Sequence, residues 1–254
     1  MPAEQQRRPS TSLDSVAVVI PAYNSGDGLP ALVAELLEFG FGAIVVVDDG
    51  SAPSHQRWLD AVGAMPRVHL CRHLRNLGKG RALKTGFGFV AGTLAEVQIV
   101  VTADSDGQHR PLDVAMVAVA ALENRGQVVM GSRSLRSGVP FRSWLGNSLT
   151  RVLFAAVSGV MLQDTQTGLR AFPRDLLAAL GNLEGERYEY ETAALLQLCL
   201  TLGRPREVPI DTIYFAGNRA THFRPVADSV LIYRTLAVGA LRRMQGRSAI
   251  QQSA

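Results

Sequence analysis

Residues 97–109 read VQIVVTADSDGQH. A run of apolar, largely β-branched side chains from Val97 to Ala103 breaks at once into Asp104-Ser105-Asp106-Gly107-Gln108-His109. That is the pattern of a strand buried on both faces whose carboxyl end meets solvent. The same pattern recurs along the chain: Val16 to Ile20 ends in Pro21-Ala22-Tyr23-Asn24, Ala43 to Asp48 continues into Asp49-Gly50-Ser51, and Gln127 to Gly131 ends in Ser132-Arg133. With a further run at Arg67 to Cys71 and helical periodicity near 28–39, 54–64, 80–91 and 111–124, the first half predicts βαβ units building a mostly parallel sheet. Open sheets of this kind bind ligands outside the carboxyl ends of their strands, which makes these polar clusters the candidate site.

After Gly131 the alternation fails. The sequence predicts a helix from Phe141 to Gln163, an irregular turn-rich piece at 164–172 (DTQTGLRAF), and a helix from Tyr190 to Leu202. A strand from Glu207 to Phe215, a polar loop to Pro225 and a last helix from Val226 to about Met244 complete the pattern. Composition agrees with one folded unit: 254 residues, 47% hydrophobic and 19% charged, exclude a fibrous or generally disordered chain. The net charge of +4 suits an anionic partner, but with 6% aromatic residues and no basic stripe interleaved with them, nucleic-acid binding is disfavoured. Cys71 and Cys199 stand alone, without the spacing of a disulfide framework or zinc site, and fit a reducing compartment. The amino-terminal stretch MPAEQQRRPSTSLD has no apolar signal region, and no window reaches the 18 or so apolar residues of a spanning helix, so neither secretion nor membrane spanning is expected.

Two phosphate-binding patterns are excluded by spacing. A dinucleotide fingerprint needs G-x-G-x-x-G after the first strand, where this chain has PAYNSGDG; and Gly78-Lys79 lacks the glycine five positions earlier that a P-loop requires. The remaining clusters carry clearer chemistry. In an extended segment Asp104 and Asp106 point to one side, Gln108 continues that side, and two carboxylates so placed can share a hard divalent cation, Mg²⁺ or Mn²⁺. Asp48 and Asp49 either accept hydrogen bonds from a base or ribose or cap a following helix. Asn76-Leu77-Gly78-Lys79-Gly80 is either a donor-rich anion cradle or a plain connection, and it holds one of the chain's only two lysines, Lys79 and Lys84.

In combination, PAYN (21–24), VVDDGS (46–51), NLGKGRALKTG (76–86), ADSDGQH (103–109), GSR (131–133), DTQTGLRAF and VPI (208–210) resemble the family 2 glycosyltransferases of the GT-A fold over about residues 15–235. Within that family the chain looks most like the dolichol-phosphate mannose synthase group, which moves a sugar from a nucleotide diphosphate to a polyprenyl phosphate. The resemblance implies an α/β, Rossmann-like single domain over 15–245, with a nucleotide-sugar half (15–133) and an acceptor half (134–245) that ends in an amphipathic helix. Residues 1–14 and 246–254 are then expected to be tails. It also implies a nucleotide-diphosphate sugar as donor and a metal-dependent, inverting transfer.

By the same resemblance, Pro21, Tyr23, Asp48 and Asp49 hold the nucleotide, Lys79 and Lys84 lie near it, and Asp104, Asp106 and Gln108 bind metal and diphosphate, with Asp106 in the catalytic set. Arg133 and Arg170 are placed at an acceptor phosphate or the site wall, where a planar guanidinium holds phosphate oxygens in pairs; the plainer reading pairs each with a carboxylate such as Asp164. His222 and Arg224, in NRATHFR at 218–224, either close over the diphosphate or belong to a Phe-anchored loop whose charged residues face solvent. Glu191 is the general base if the acceptor is a hydroxyl, as in a soluble transferase of the same fold. A phosphate monoester acceptor is already anionic and needs no strong base. Two departures stand out: Ser25 replaces the family's Glu, with Asp27 two residues on, and Thr221 replaces a Ser. They motivate a contrasting expectation, a catalytically silent nucleotide-sugar binder, against which the intact Asp104/Asp106/Gln108 set argues. The last helix carries Arg234, Arg242, Arg243 and Arg247 beside an apolar stripe, which suits peripheral attachment to an anionic membrane at its cytoplasmic face or to a membrane-protein partner.

Overall fold

The computed structural model describes residues 11–133, 141–211 and 224–251. Strands β1 (Val16–Ala22), β2 (Ala43–Asp48), β3 (Val68–Arg72), β4 (Ile99–Thr102) and β5 (Val129–Arg133) fall on the five expected runs, with helices α1 (Gly28–Glu38), α2 (Gln56–Gly63), α3 (Lys79–Thr93) and α4 (Pro111–Glu123) between them. There follow α5 (Phe141–Ser158), β6 (Arg170–Pro173), α6 (Leu177–Gly181), α7 (Glu189–Leu202), β7 (Arg206–Ile210) and α8 (Pro225–Gln251). The strands form one sheet in the order β3-β2-β1-β4-β6-β5-β7. The neighbouring pairs are parallel except those of β6, which runs antiparallel to both β4 and β5.

Alternation along β1 divides the core. Val16, Val18 and Ile20 join Ile44 and Val46 under α1, α2 and α4 on one face, while Ala17 and Val19 join Val45 and Val47 under α3, α6 and α7 on the other. A sheet covered by helices on both faces explains why the inner strands are apolar at nearly every position. Helix α3 lies so close to β1 that a Cβ on Gly86 would stand 2.4 Å from Val19 Cγ1, so only glycine fits there. A third cluster joins α5, α7 and α8 through Phe154, Leu162, Leu195, Leu196, Cys199 and Leu236, with Met130 of β5 beneath. The result is a single α/β domain with a mostly parallel sheet flanked by helices, as expected.

Five boundaries differ notably from the sequence reading. The expected tail 1–14 ends earlier, since Leu13 is buried in the core and its carbonyl accepts the Gly42 N–H; residues 1–10 lie outside the described residues. Helix α5 stops at Ser158 and not at Gln163, because Gly159 takes φ +79° and Ser158 Oγ accepts the Val160 N–H. The segment 170–173, read as irregular, is strand β6: its hydrogen bonds go to β4 and β5, far away in sequence, and its four residues are too few to show alternation. Strand β7 starts at Arg206, and α8 runs to Gln251, through most of what was expected to be a tail. The expected strand end at 212–215 lies outside the described residues. Among the described residues no helix is long and apolar enough to cross a membrane.

Candidate active site

The carboxyl ends of β1, β2, β4 and β5 share one rim, and the loops leaving it are tied to one another. After β1, Asn24 adopts φ +50° and donates its N–H to Ser51 Oγ at 2.9 Å, while its Oδ1 accepts the Ala52 N–H at 2.8 Å. Asp48 is buried and accepts from the Ser51 N–H (2.8 Å) and from Gln56 Nε2 (3.2 Å), which ties the strand end to the turn that follows it. Asp49 is buried as well: its Oδ1 accepts from His73 Nδ1 (2.7 Å) and the Leu77 N–H (2.9 Å), and its Oδ2 from the Gly78 N–H (2.8 Å). The carboxylate expected at the nucleotide thus holds the 73–78 loop in shape. Pro21 and Tyr23 stay half-buried on the rim.

That loop delivers Lys79. A Cβ on Gly78, at φ +108°, would stand 2.3 Å from Glu186 O, and one on Gly80 would stand 2.5 Å from Tyr190 Cβ. Glycine at both positions lets the start of α3 press against the start of α7, which brings Lys79 to Glu191. The Lys79 ammonium lies 2.7 Å from Asp104 Oδ1 and 2.7 Å from Glu191 Oε2, and 5.8 Å from the Tyr188 ring centre. Gly168 also lies against the Asp104 carboxylate: a Cβ there would meet its Oδ2 at 2.6 Å. Thr102 Oγ1 fixes that approach by donating to Gly168 O at 2.7 Å. Neither Gly168 nor Tyr188 was given a role from sequence; the glycine beside Arg170 in DTQTGLRAF was the available signal.

The charges are unevenly compensated. Burial would raise the Asp104 carboxyl, but Lys79, His109 and Arg133 outweigh it and hold it at about 2. Burial would likewise lower the Lys79 ammonium, yet Asp104 and Glu191 hold it protonated well above the ordinary lysine range. Asp106 is shifted the other way, raised by burial and by the neighbouring Asp104 charge. The expectation that Asp104, Asp106 and Gln108 alternate along an extended chain needs correction: β4 ends at Thr102, Gly107 takes φ +75°, and the Gln108 N–H turns back to Asp106 Oδ1 at 3.0 Å. His109 Nδ1 accepts the Asp104 N–H at 3.2 Å. A tight turn, and not strand period, holds the acidic pair together.

These residues fit a divalent cation. The donor set is hard oxygen, the Asp106 carboxyl is raised by a like charge that a cation would offset, and an ammonium already stands in as cation on Asp104. Among the described residues no group of three or more His, Cys, Asp or Glu could hold a metal ion. Two carboxylates with substrate phosphates are the usual arrangement for Mg²⁺, which seldom uses an all-protein cage.

The arginines expected at an acceptor phosphate are engaged by the protein. Arg170 is 2% exposed, donates to Glu191 O (2.6 Å) and Thr165 O (3.2 Å), and so ties α7 to the 164–168 turn from inside the fold. The guanidinium makes these bonds to the protein's own carbonyls and not to a carboxylate such as Asp164. Arg133 forms a two-pronged pair with Asp164, Nε to Oδ2 at 2.5 Å and Nη2 to Oδ1 at 3.0 Å. Lys84 is directed away from the acidic cluster, its ammonium donating to Leu183 O (2.9 Å) and Glu186 Oε1 (3.1 Å). Ser25, in the place of the family's Glu, meets Ser105 Oγ at 2.9 Å and so links the first loop to the acidic turn. The Arg224 N–H donates to Asp228 Oδ2 at 2.6 Å, capping α8; His222 and Thr221 lie outside the described residues.

A family profile described as Glycosyl transferase family 2 matches residues 17–181, which carry the strand-end clusters from PAYN to DTQTGLRAF. The chain is a family 2 glycosyltransferase. Among its relatives, a UDP-N-acetylglucosamine–dolichyl-phosphate N-acetylglucosaminyltransferase of Methanococcus voltae is 28% identical to this glycosyltransferase over 87% of the chain and 94% of its own length. An undecaprenyl-phosphate 4-deoxy-4-formamido-L-arabinose transferase of an Enterobacter species is 32% identical over 66% of this chain, which spans 52% of that relative. An uncharacterised protein of Methanocaldococcus jannaschii is 32% identical over 82% of the chain and 86% of its own length. Among solved structures, glucosyl-3-phosphoglycerate synthase of Mycobacterium tuberculosis, crystallised with Mn²⁺, UDP and glucosyl-3-phosphoglycerate, superposes with TM-score 0.67 at 20% identity over 93% of this glycosyltransferase and 85% of that chain. The fold is GT-A.

Proposed function

We propose that this glycosyltransferase moves a hexosyl group, with inversion, from a nucleotide-diphosphate sugar to a polyprenyl phosphate. The observation that carries the transfer chemistry is the acidic turn at the end of β4, with Lys79 and Glu191 gathered on it; the acceptor class is supported by what the Methanococcus and Enterobacter relatives are named for. A phosphate oxygen of the acceptor attacks the anomeric carbon, the bond from that carbon to the diphosphate oxygen breaks, and the nucleoside diphosphate departs. Asp104, Asp106 and Gln108 would hold Mg²⁺ or Mn²⁺, which when bound offsets the charge that develops on the leaving diphosphate. Pro21 and Tyr23 line the nucleotide side of the rim, and Arg224 stands where the chain re-enters at α8 with His222 close by in sequence. The halves 15–133 and 134–245 then divide donor from acceptor binding. On α8, exposed Val230, Val238 and Leu241 alternate with Arg234 along one face, which suits peripheral attachment at the cytoplasmic side of a membrane.

The placement of Glu191 favours a second reading, transfer to a hydroxyl of a saccharide or small molecule, because its carboxylate reaches the cluster where a general base would be needed. The deciding experiment offers a panel of labelled nucleotide sugars with Mn²⁺ or Mg²⁺ and either a polyprenyl phosphate or soluble acceptors. Metal-dependent label in the organic phase supports the first reading. Label confined to water-soluble product, lost in Glu191→Gln, replaces it with the second.

A further inference from the structure

Lys79 is more than a basic residue near a phosphate site. Two carboxylates from separate elements, Asp104 after β4 and Glu191 in the first turn of α7, converge on its one ammonium at 2.7 Å each. Asp104 is also one of the two carboxylates suited to the cation; Lys79 holds its Oδ1, and Gly168 lies so close to both oxygens that even a methyl group there would not fit. A divalent cation approaching Asp104 therefore meets a positive charge already in place. The backbone of Lys79 is pinned by the close approaches at Gly78 and Gly80, whereas its stem of four methylenes leaves the ammonium free to pivot. Glu191 gives it a carboxylate to stay on once Asp104 is surrendered.

We propose that Lys79 is a resident counter-ion of Asp104 that a divalent cation must displace, with Glu191 retaining the ammonium after the exchange. This rests on the metal-dependent reading above. Lys79 thereby keeps the nucleotide-free site a weak metal binder, and firm retention of the ion waits for the oxygens of the donor diphosphate. A lysine that merely supported the loop would behave differently: its loss would loosen the site and weaken metal binding.

The test is Mn²⁺ binding to the full chain by titration calorimetry without nucleotide, comparing wild type, Lys79→Met and Lys79→Arg, with thermal melts in EDTA and in Mn²⁺. Removing a unit charge beside the site should tighten Mn²⁺ binding about tenfold in Lys79→Met, while Lys79→Arg, which keeps the charge, should stay near wild type. Lys79→Met should melt below wild type in EDTA, where two carboxylates face each other unpaired, and should gain more from Mn²⁺ than wild type does. Recovery of the melting transition by Mn²⁺ in a variant unfolded without it supports the exchange equally. Binding in wild type with equal or weaker binding in Lys79→Met overturns the exchange alone. No Mn²⁺ binding by any of the three, with and without nucleotide diphosphate, overturns both the exchange and the metal-dependent reading.

Discussion

Asp106 and Gly168 act on the same few ångströms in different ways. Asp106→Asn removes one carboxylate from the acidic turn but retains an oxygen that can accept the Gln108 N–H, so the fold should survive. Turnover should fall about 100-fold or more in a metal-supplemented assay, with an unchanged far-ultraviolet spectrum. Gly168→Ala leaves every charge in place but sets a methyl group 2.6 Å and 2.8 Å from the two Asp104 carboxylate oxygens. Displacing that carboxylate by even an ångström should lower kcat about 100-fold, measured by single-turnover transfer. The first effect was legible in the D-x-D spacing. The second was not, because a glycine's role depends on what stands opposite it, and that neighbour is 64 positions away in the chain.

The connection from β3 to α3 shows how a whole element depends on one buried acid. Asp49 accepts the Leu77 and Gly78 N–H groups and the His73 imidazole, and thereby sets the point at which α3 begins. Asp49→Ala leaves buried donors without acceptors and should cost about 3 kcal/mol in urea unfolding, with loss of transfer as Lys79 shifts with its loop. The sequence showed a polar strand end and offered a nucleotide contact or a helix cap. The hydrogen-bond partners that Asp49 meets stand 24 to 29 residues away and are not visible in the local pattern. Strand β6 escaped prediction for a similar reason: four residues beginning with a buried arginine carry no alternation of their own, and their pairing exists only because β4 and β5 are already in place.

Across the molecule, ion pairs anchor the carboxy-terminal half to the sheet, and Arg133–Asp164 joins the end of β5 to the 164–168 turn. Burial would raise the Asp164 carboxyl, but the Arg133 fork and the Gln166 and Arg133 N–H groups outweigh it and hold it below its ordinary value. A carboxyl depressed in the folded state contributes stability that is present above its unfolded value, about 3.9, and is lost as pH falls through the folded one. Asp164→Asn should therefore be less stable than wild type by about 2 kcal/mol near neutral pH, with the gap closing as pH falls below the unfolded value in a series of thermal melts. A gap that does not change with pH would assign the loss to packing and not to charge.

The order of apolar runs and polar strand ends was enough to predict a mostly parallel α/β sheet and to point to the carboxyl-end rim with Asp104 and Asp106, because side-chain period and strand-end chemistry are local properties of the chain; Lys79 and Glu191 entered through the resemblance to the family. Only the tertiary structure decided that Arg170 is enclosed, that Lys84 faces the α6–α7 turn, that Asp49 holds a loop, and that Lys79 bridges Asp104 to Glu191. Each of these depends on which distant carbonyl or carboxylate a charged group meets when water is withdrawn. Burial and pairing, unlike period, are set by the packed whole.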